Sequence, residues 1–168
     1  VGPGTVYSKS IQSIQKVDDE RIWGVTGGGL IEWQHDSIKL VLPFEESPTS
    51  LNIIGDTIVI GTWNGNAYIG SLSHLSNIKL RWDWSNGILY GLHKDSAGYI
   101  WALASKGLER GKSINQLKPI IETKKQSDFC SFFESRHGEI WIGGYRKLYK
   151  FDKLGNILKE WGVKDGLK

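Results

Sequence analysis

Gly138-Glu139-Ile140-Trp141-Ile142-Gly143-Gly144 contains a five-residue core that the chain repeats four times. From Ile140 it reads Ile-Trp-Ile-Gly-Gly. The other copies are Ile22-Trp23-Gly24-Val25-Thr26, Ile58-Val59-Ile60-Gly61-Thr62 and Ile100-Trp101-Ala102-Leu103-Ala104. Successive cores begin 36, 42 and 40 residues apart. Seven residues after each leading Ile stand Gly29, Gly65, Gly107 and Lys147. A period of roughly 20–50 residues marks an architecture of stacked repeats. In such a protein the repeated core holds the fold, and function is sought in the loops.

Each repeat reads as short strands separated by turns. In the first, Ser10–Val17, Arg21–Thr26, Leu30–Gln34 and Ile38–Phe44 are rich in β-branched and aromatic residues. Asp18-Asp19-Glu20, Gly27-Gly28-Gly29 and His35-Asp36-Ser37 separate them with turn chemistry. The fourth repeat parses alike, as Phe129–Glu134, Glu139–Gly143, Leu148–Phe151 and Ile157–Trp161. Leu72–Asn77 could form at most a short helical turn. Four strands per repeat of about forty residues is the arithmetic of a β-propeller blade. The run Ile140-Trp141-Ile142 does not alternate with polar residues, as expected of a strand covered on both faces. The expected fold is therefore all-β, with four antiparallel strands in each of four blades near 8–46, 47–87, 88–127 and 128–168. The four blades would form part of a larger ring or close by dimerisation. Trp23, Trp101 and Trp141 read as wedges between blades, with Val59 in the second repeat. Leucine-rich solenoids need shorter, Leu-rich repeats that this chain lacks.

The 168 residues, 39% hydrophobic and 23% charged, describe a globular protein with room for a core. No apolar run is long enough to span a membrane. Val1-Gly2-Pro3-Gly4 shows no basic region leading an apolar stretch, so no signal peptide is expected. The absence of Met, even at position 1, is what a segment cut from a longer protein would show. Cys130, alone, excludes an internal disulfide; in the run Phe129–Phe133 it reads as a buried thiol. Residues 1–84 hold 6 basic and 9 acidic side chains, and residues 85–168 hold 15 and 9. The second half could attract an anion. Its Lys residues are scattered among acids, so no nucleic-acid partner is expected.

The fourth repeat continues with Leu148-Tyr149-Lys150-Phe151-Asp152 and ends near Lys164-Asp165-Gly166-Leu167. Asp95-Ser96-Ala97-Gly98-Tyr99-Ile100-Trp101 with Gly107-Leu108, and Ile22-Trp23 with Gly29-Leu30, follow the same pattern. These segments resemble the repeat of the two-component-regulator propeller family. The second repeat departs most, with Val59 for Trp and Asn66 for Leu. The resemblance covers nearly the whole chain through short motifs. It implies an extracytoplasmic, periplasmic ligand sensor of a bacterial hybrid histidine kinase or diguanylate cyclase, often for oligosaccharides. In that family two full propellers of about seven blades each are common. The partners implied are a small-molecule or oligosaccharide ligand, and the remaining blades of a parent chain or a second copy.

Local catalytic motifs are not evident. Gly107–Ser113 resembles a phosphate loop, but its first gap is short and no helix pattern follows. His35, His74, His93 and His137 lack metal-ligand spacing. Asp18-Asp19-Glu20 lacks the alternating ligands and glycine of a calcium loop. No catalytic residue, metal site or cofactor is expected of this segment, which reads as non-enzymatic. Two alternatives stay open: a protein-interaction propeller, and a propeller lyase or glycan hydrolase whose carboxylates meet only in three dimensions. In the usual blade order, the turns between second and third strands share one rim with the blade connections. The ligand-binding candidates on that rim are Trp63, Asn64, Trp84, Lys106, Tyr145 and Arg146. Aromatic faces there suit the C–H faces of sugar rings.

Overall fold

The computed structural model describes residues 10–83, 87–123 and 129–167, and the side chains among these except 76 and 79–83. It holds sixteen strands in four antiparallel sheets, each in sequential order. Blade 1 is β1 (Ile11–Lys16), β2 (Arg21–Thr26), β3 (Gly29–Gln34) and β4 (Ser37–Pro43). Blade 2 is β5 (Pro48–Ile54), β6 (Thr57–Thr62), β7 (Asn66–Ser71) and β8 (His74–Asp83). Blade 3 is β9 (Leu89–Lys94), β10 (Ile100–Ala104), β11 (Gly107–Gly111) and β12 (Lys118–Glu122). Blade 4 is β13 (Ser131–Glu134), β14 (Ile140–Gly144), β15 (Lys147–Phe151) and β16 (Ile157–Trp161). Two single 3₁₀ turns, Ile114–Gln116 and Val163–Asp165, are the helical elements among the described residues.

The repeated core is the second strand of every blade. In blades 1, 3 and 4 the turn before it is closed by one polar side chain. Asp18 accepts the Glu20 and Arg21 N–H groups, Asp95 accepts the Tyr99 N–H, and Ser135 accepts the His137 and Glu139 N–H groups. These local bonds stand in for the ladder that the turn interrupts. Gly29, at φ +145°, follows the next turn; a Cβ there would lie 2.2 Å from the Leu42 carbonyl oxygen. Only glycine fits that approach of β3 to β4.

The chain divides into two compact units, Val1–Leu89 and Tyr90–Lys168. In the first, Trp23, Val25 and Leu30 of blade 1 meet Leu51, Ile58 and Ile60 of blade 2. The Ile53 N–H also donates to Gln15 Oε1 at 2.7 Å. In the second, Trp101, Leu103 and Leu108 of blade 3 meet Ile140, Ile142, Tyr149 and Phe151 of blade 4, with Phe129 among them. Trp23 and Trp101 are thus wedges between blades. Trp141 is half-buried and stacks on Trp161, centroids 5.4 Å apart. The strand expected to be covered on both faces, β14, buries Ile140 and Ile142 but not Trp141. Full two-sided burial occurs instead in β10.

Two local expectations are corrected. Leu72–Asn77 forms no helical turn: a tight turn at 72–73 leads directly into β8. Two register shifts between β7 and β8 accommodate the longer strand. Cys130 is exposed. The chain alternates as it enters β13, so Phe129 goes into the core and the next side chain points out.

Candidate functional site

In every blade the second-to-third-strand turn lies at the end where the fourth strand leaves. In blades 1 and 3 bonds join the two features: Phe44 N–H donates to the Gly28 carbonyl and Thr123 N–H to Lys106. In blade 2 the Trp63 N–H donates instead to the Ser47 carbonyl of the connection that enters the blade. The expected rim geometry therefore holds within each blade. Trp63 and Tyr145 occupy the same turn position in blades 2 and 4, and each is 60% exposed. Asn64, Lys106 and Arg146 occupy the next turn position in blades 2, 3 and 4, all exposed. Trp84 lies outside the described residues, as does the whole connection at 124–128.

Blade 2 assembles a polar network from the residues that flank the Trp63 turn. Glu46 accepts from Thr62 Oγ1 at 3.0 Å and from Asn66 Nδ2 at 2.8 Å. Burial first, then the Glu46 and Glu45 charges, push the nearby Tyr68 phenol above its ordinary pKa. Tyr68 is held by Phe44, ring centroids 5.0 Å apart. Glu46 is a rim group that no motif flagged. Its only signal was its place in the connection following the first blade.

Blade 4 presents a different rim. Arg146 sits at φ +54°, in the left-handed region that non-glycine residues rarely adopt. Its guanidinium lies 5.2 Å from the Tyr145 ring centroid. A shallow cleft of about 340 Å³ opens between Arg146 and Val163, Gly166 and Leu167. Lys147 beside it pairs with Glu160 at 2.5 Å, a bond that raises the ammonium's pKa.

The remaining motifs are structural. Gly107–Ser113 forms β11 and a turn, as its missing helix pattern implied. Arg110 within it is a buried cation that sequence reading missed. It pairs with Asp95 at 3.2 Å, their side chains 7% and 2% exposed. It also donates to the Lys153 and Leu154 carbonyls of blade 4. Asp18 is engaged by Arg21, which holds its carboxyl below the usual range. His93 stacks on Phe132 at 4.7 Å, and burial lowers its imidazole pKa. Among the described residues no group of three or more His, Cys, Asp and Glu side chains gathers as metal ligands would. Among them also, no helix is long and apolar enough to cross a membrane.

No family model and no curated protein matches the chain. Solved structures do. An extracellular domain of a hybrid two-component system from B. thetaiotaomicron is similar over 96% of this chain, with TM-score 0.75 and 14% identity. A second such domain from B. thetaiotaomicron is similar over 88%, with TM-score 0.72 and 20% identity. These are propeller blades. This chain spans about a fifth of the length of those two domains, 23% and 21%. An inactive virginiamycin B lyase from Staphylococcus aureus is similar over 97% of this chain and 59% of its own, with TM-score 0.74 and 14% identity. At such identities the shared property is the fold, and function must be argued from the rim.

Proposed function

We propose that this propeller chain is a ligand-sensing segment of the extracytoplasmic part of a bacterial membrane signalling protein, with no chemistry of its own. The likeness to extracellular domains of hybrid two-component systems supports the sensing role. So does the resemblance of its repeats to two-component-regulator propellers. An oligosaccharide is the ligand class that suits the rim. The observation that carries this reading is the pair Trp63 and Tyr145. Both are exposed at one turn position, each beside a hydrogen-bonding group, Asn64 or Arg146. An aromatic ring left in water at a blade turn offers a stacking face. The neighbouring amide and guanidinium offer donors to hydroxyls.

Calorimetry of the purified chain against a panel of neutral and acidic oligosaccharides tests the reading. Trp63→Ala or Tyr145→Ala is expected to weaken the best ligand at least tenfold, about 1.4 kcal/mol. Unchanged affinity in both variants would remove the rim from consideration. A second reading, a propeller lyase, is favoured by the likeness to virginiamycin B lyase. The same mixtures distinguish it: a sensor returns the ligand intact by mass spectrometry, and a lyase returns an eliminated product.

A further inference from the structure

The second repeat departs from the others where its rim turn enters β7. Eight residues after the leading Ile, the other blades carry Leu30, Leu108 and Leu148, the first two 0% exposed, whereas blade 2 carries Asn66. An amide in place of a core leucine gives up apolar burial and must find partners. Asn66 finds one. Its Nδ2 donates to both oxygens of Glu46, at 2.8 and 3.1 Å. Thr62, on the other side of the turn, donates to the same carboxylate from Oγ1 at 3.0 Å. In blade 1 the corresponding Thr26 serves its own turn instead, accepting the Gly28 N–H at 3.2 Å.

Glu46 thus grips both ends of the turn that carries Trp63. The backbone adds a third tie, from the Trp63 N–H to the Ser47 carbonyl at 3.1 Å. Within the turn the Gly65 N–H closes on the Thr62 carbonyl at 3.1 Å. The connection that supplies Glu46 and Ser47 is itself anchored: Phe44 donates its N–H to Gly28 at 3.4 Å and packs its ring on Tyr68. Among the described residues Glu46 forms no ion pair, so its hydrogen bonds go to the turn. The indole that these ties present is 60% exposed. A ring held in water adds little to the core, and Asn in place of Leu costs burial. A local rule broken in this way, beside an exposed aromatic, is what a binding site shows.

We infer that Glu46 is a positioning residue of the Trp63 site: its carboxylate fixes the turn that presents the indole, so an arriving oligosaccharide meets a ring already in place. The inference rests on the sensing reading above. An ordered turn spares the ligand the entropy of ordering it, which is how preorganisation raises affinity. Glu46 need not touch the sugar for this. The bond also has a reversed form, since Glu46→Gln with Asn66→Asp exchanges donor and acceptor and keeps the pair.

Fluorine NMR of the chain labelled with fluorotryptophan reads the turn without ligand, single Trp→Phe variants assigning the signals. Glu46→Ala, and Asn66→Asp, which sets one carboxylate against another, should each shift or broaden the Trp63 signal and leave those of Trp23 and Trp101 in place. Calorimetry with the tightest oligosaccharide of the panel should show each variant weakened at least about tenfold. Circular dichroism checks folding. Glu46→Gln, which sets amide against amide, replaces Glu46→Ala should that variant misfold. Glu46→Gln combined with Asn66→Asp should restore the signal and most of the affinity. An unmoved Trp63 signal in folded Glu46→Ala overturns the inference and leaves the sensing reading standing. So does unchanged affinity in that variant where Trp63→Ala weakens binding, or a double variant no better than Asn66→Asp alone. A wild-type chain that binds nothing in the panel, or a Trp63→Ala chain that binds as tightly, overturns the rim reading and this inference with it.

Discussion

Arg110→Ala is expected to destabilise the folded chain by about 3–5 kcal/mol, the cost of removing one partner from a buried ion pair. Arg110 does three things at once. It neutralises Asp95, donates to the Lys153 and Leu154 carbonyls, and lies over the Tyr99 ring, 3.7 Å from its centroid. Truncation strands the Asp95 charge, although Trp101 Nε1 and the Tyr99 N–H still donate to it. It also leaves two carbonyls of the β15–β16 turn without this donor. Arg110→Lys should recover only part of the loss, since an ammonium cannot reproduce the planar fork or the stacking. Adding Asp95→Asn to Arg110→Ala should cost less than the two separate losses together, because the stranded charge is gone. Urea unfolding of the wild type and these four variants measures this. A loss below about 1 kcal/mol for Arg110→Ala would show that the pair is solvated and not a staple between blades 3 and 4.

Trp101→Ala should cost a similar amount, about 3–5 kcal/mol, for a different reason. The side chain is 0% exposed and packs edge-on against Phe151, centroids 5.2 Å apart. Its removal opens a cavity between two sheets that cannot collapse without breaking their ladders. Trp101→Phe separates packing from hydrogen bonding. It keeps most of the volume and loses the 2.8 Å bond to Asp95, for a cost of about 1–2 kcal/mol. Because Trp101 and Arg110 share Asp95, their effects are coupled and will not add. Urea midpoints again give the numbers. Near-equal losses for the two Trp101 variants would mean that the bond to Asp95, not the wedge, matters at this position.

The blades were legible because a propeller repeats its core. The Ile-Trp pattern recurs where β2, β6, β10 and β14 pass through their sheets, and side-chain alternation fixes which residue meets which neighbour. Trp23 and Trp101 followed directly. Trp141 is half-buried, because burial at that position depends on what packs on its sheet face and not on the strand alone. Cys130 was misread because an apolar run hides the register of a short strand; one residue of phase decides inside from outside. Arg110 was invisible for a related reason. Its partners are 15 and about 43 residues away in sequence, and nothing local distinguishes a buried cation from a solvated one. The rim candidates were legible as turn positions. The Glu46 network was not, because it joins a blade connection to residues flanking a turn 16–20 residues later.

These observations separate what the repeats share from where they differ. The shared positions build sheets. At the turns, blade 1 carries Gly27-Gly28, blade 2 Trp63-Asn64, blade 3 Ser105-Lys106 and blade 4 Tyr145-Arg146. Variation of this kind costs the fold little, because turn side chains leave the sheets undisturbed, and it leaves the rim free to recognise a ligand.

Amide and indole chemical-shift mapping of the labelled chain, titrated with the tightest oligosaccharide from the panel, tests that separation directly. The expected result is a set of shifts centred on Trp63–Asn66, Lys106 and Tyr145–Lys147, with the indole signals of Trp23 and Trp101 unmoved. Shifts centred on the opposite turns, around His35 and His137, or on the outward sheet faces would contradict a ligand site on this rim.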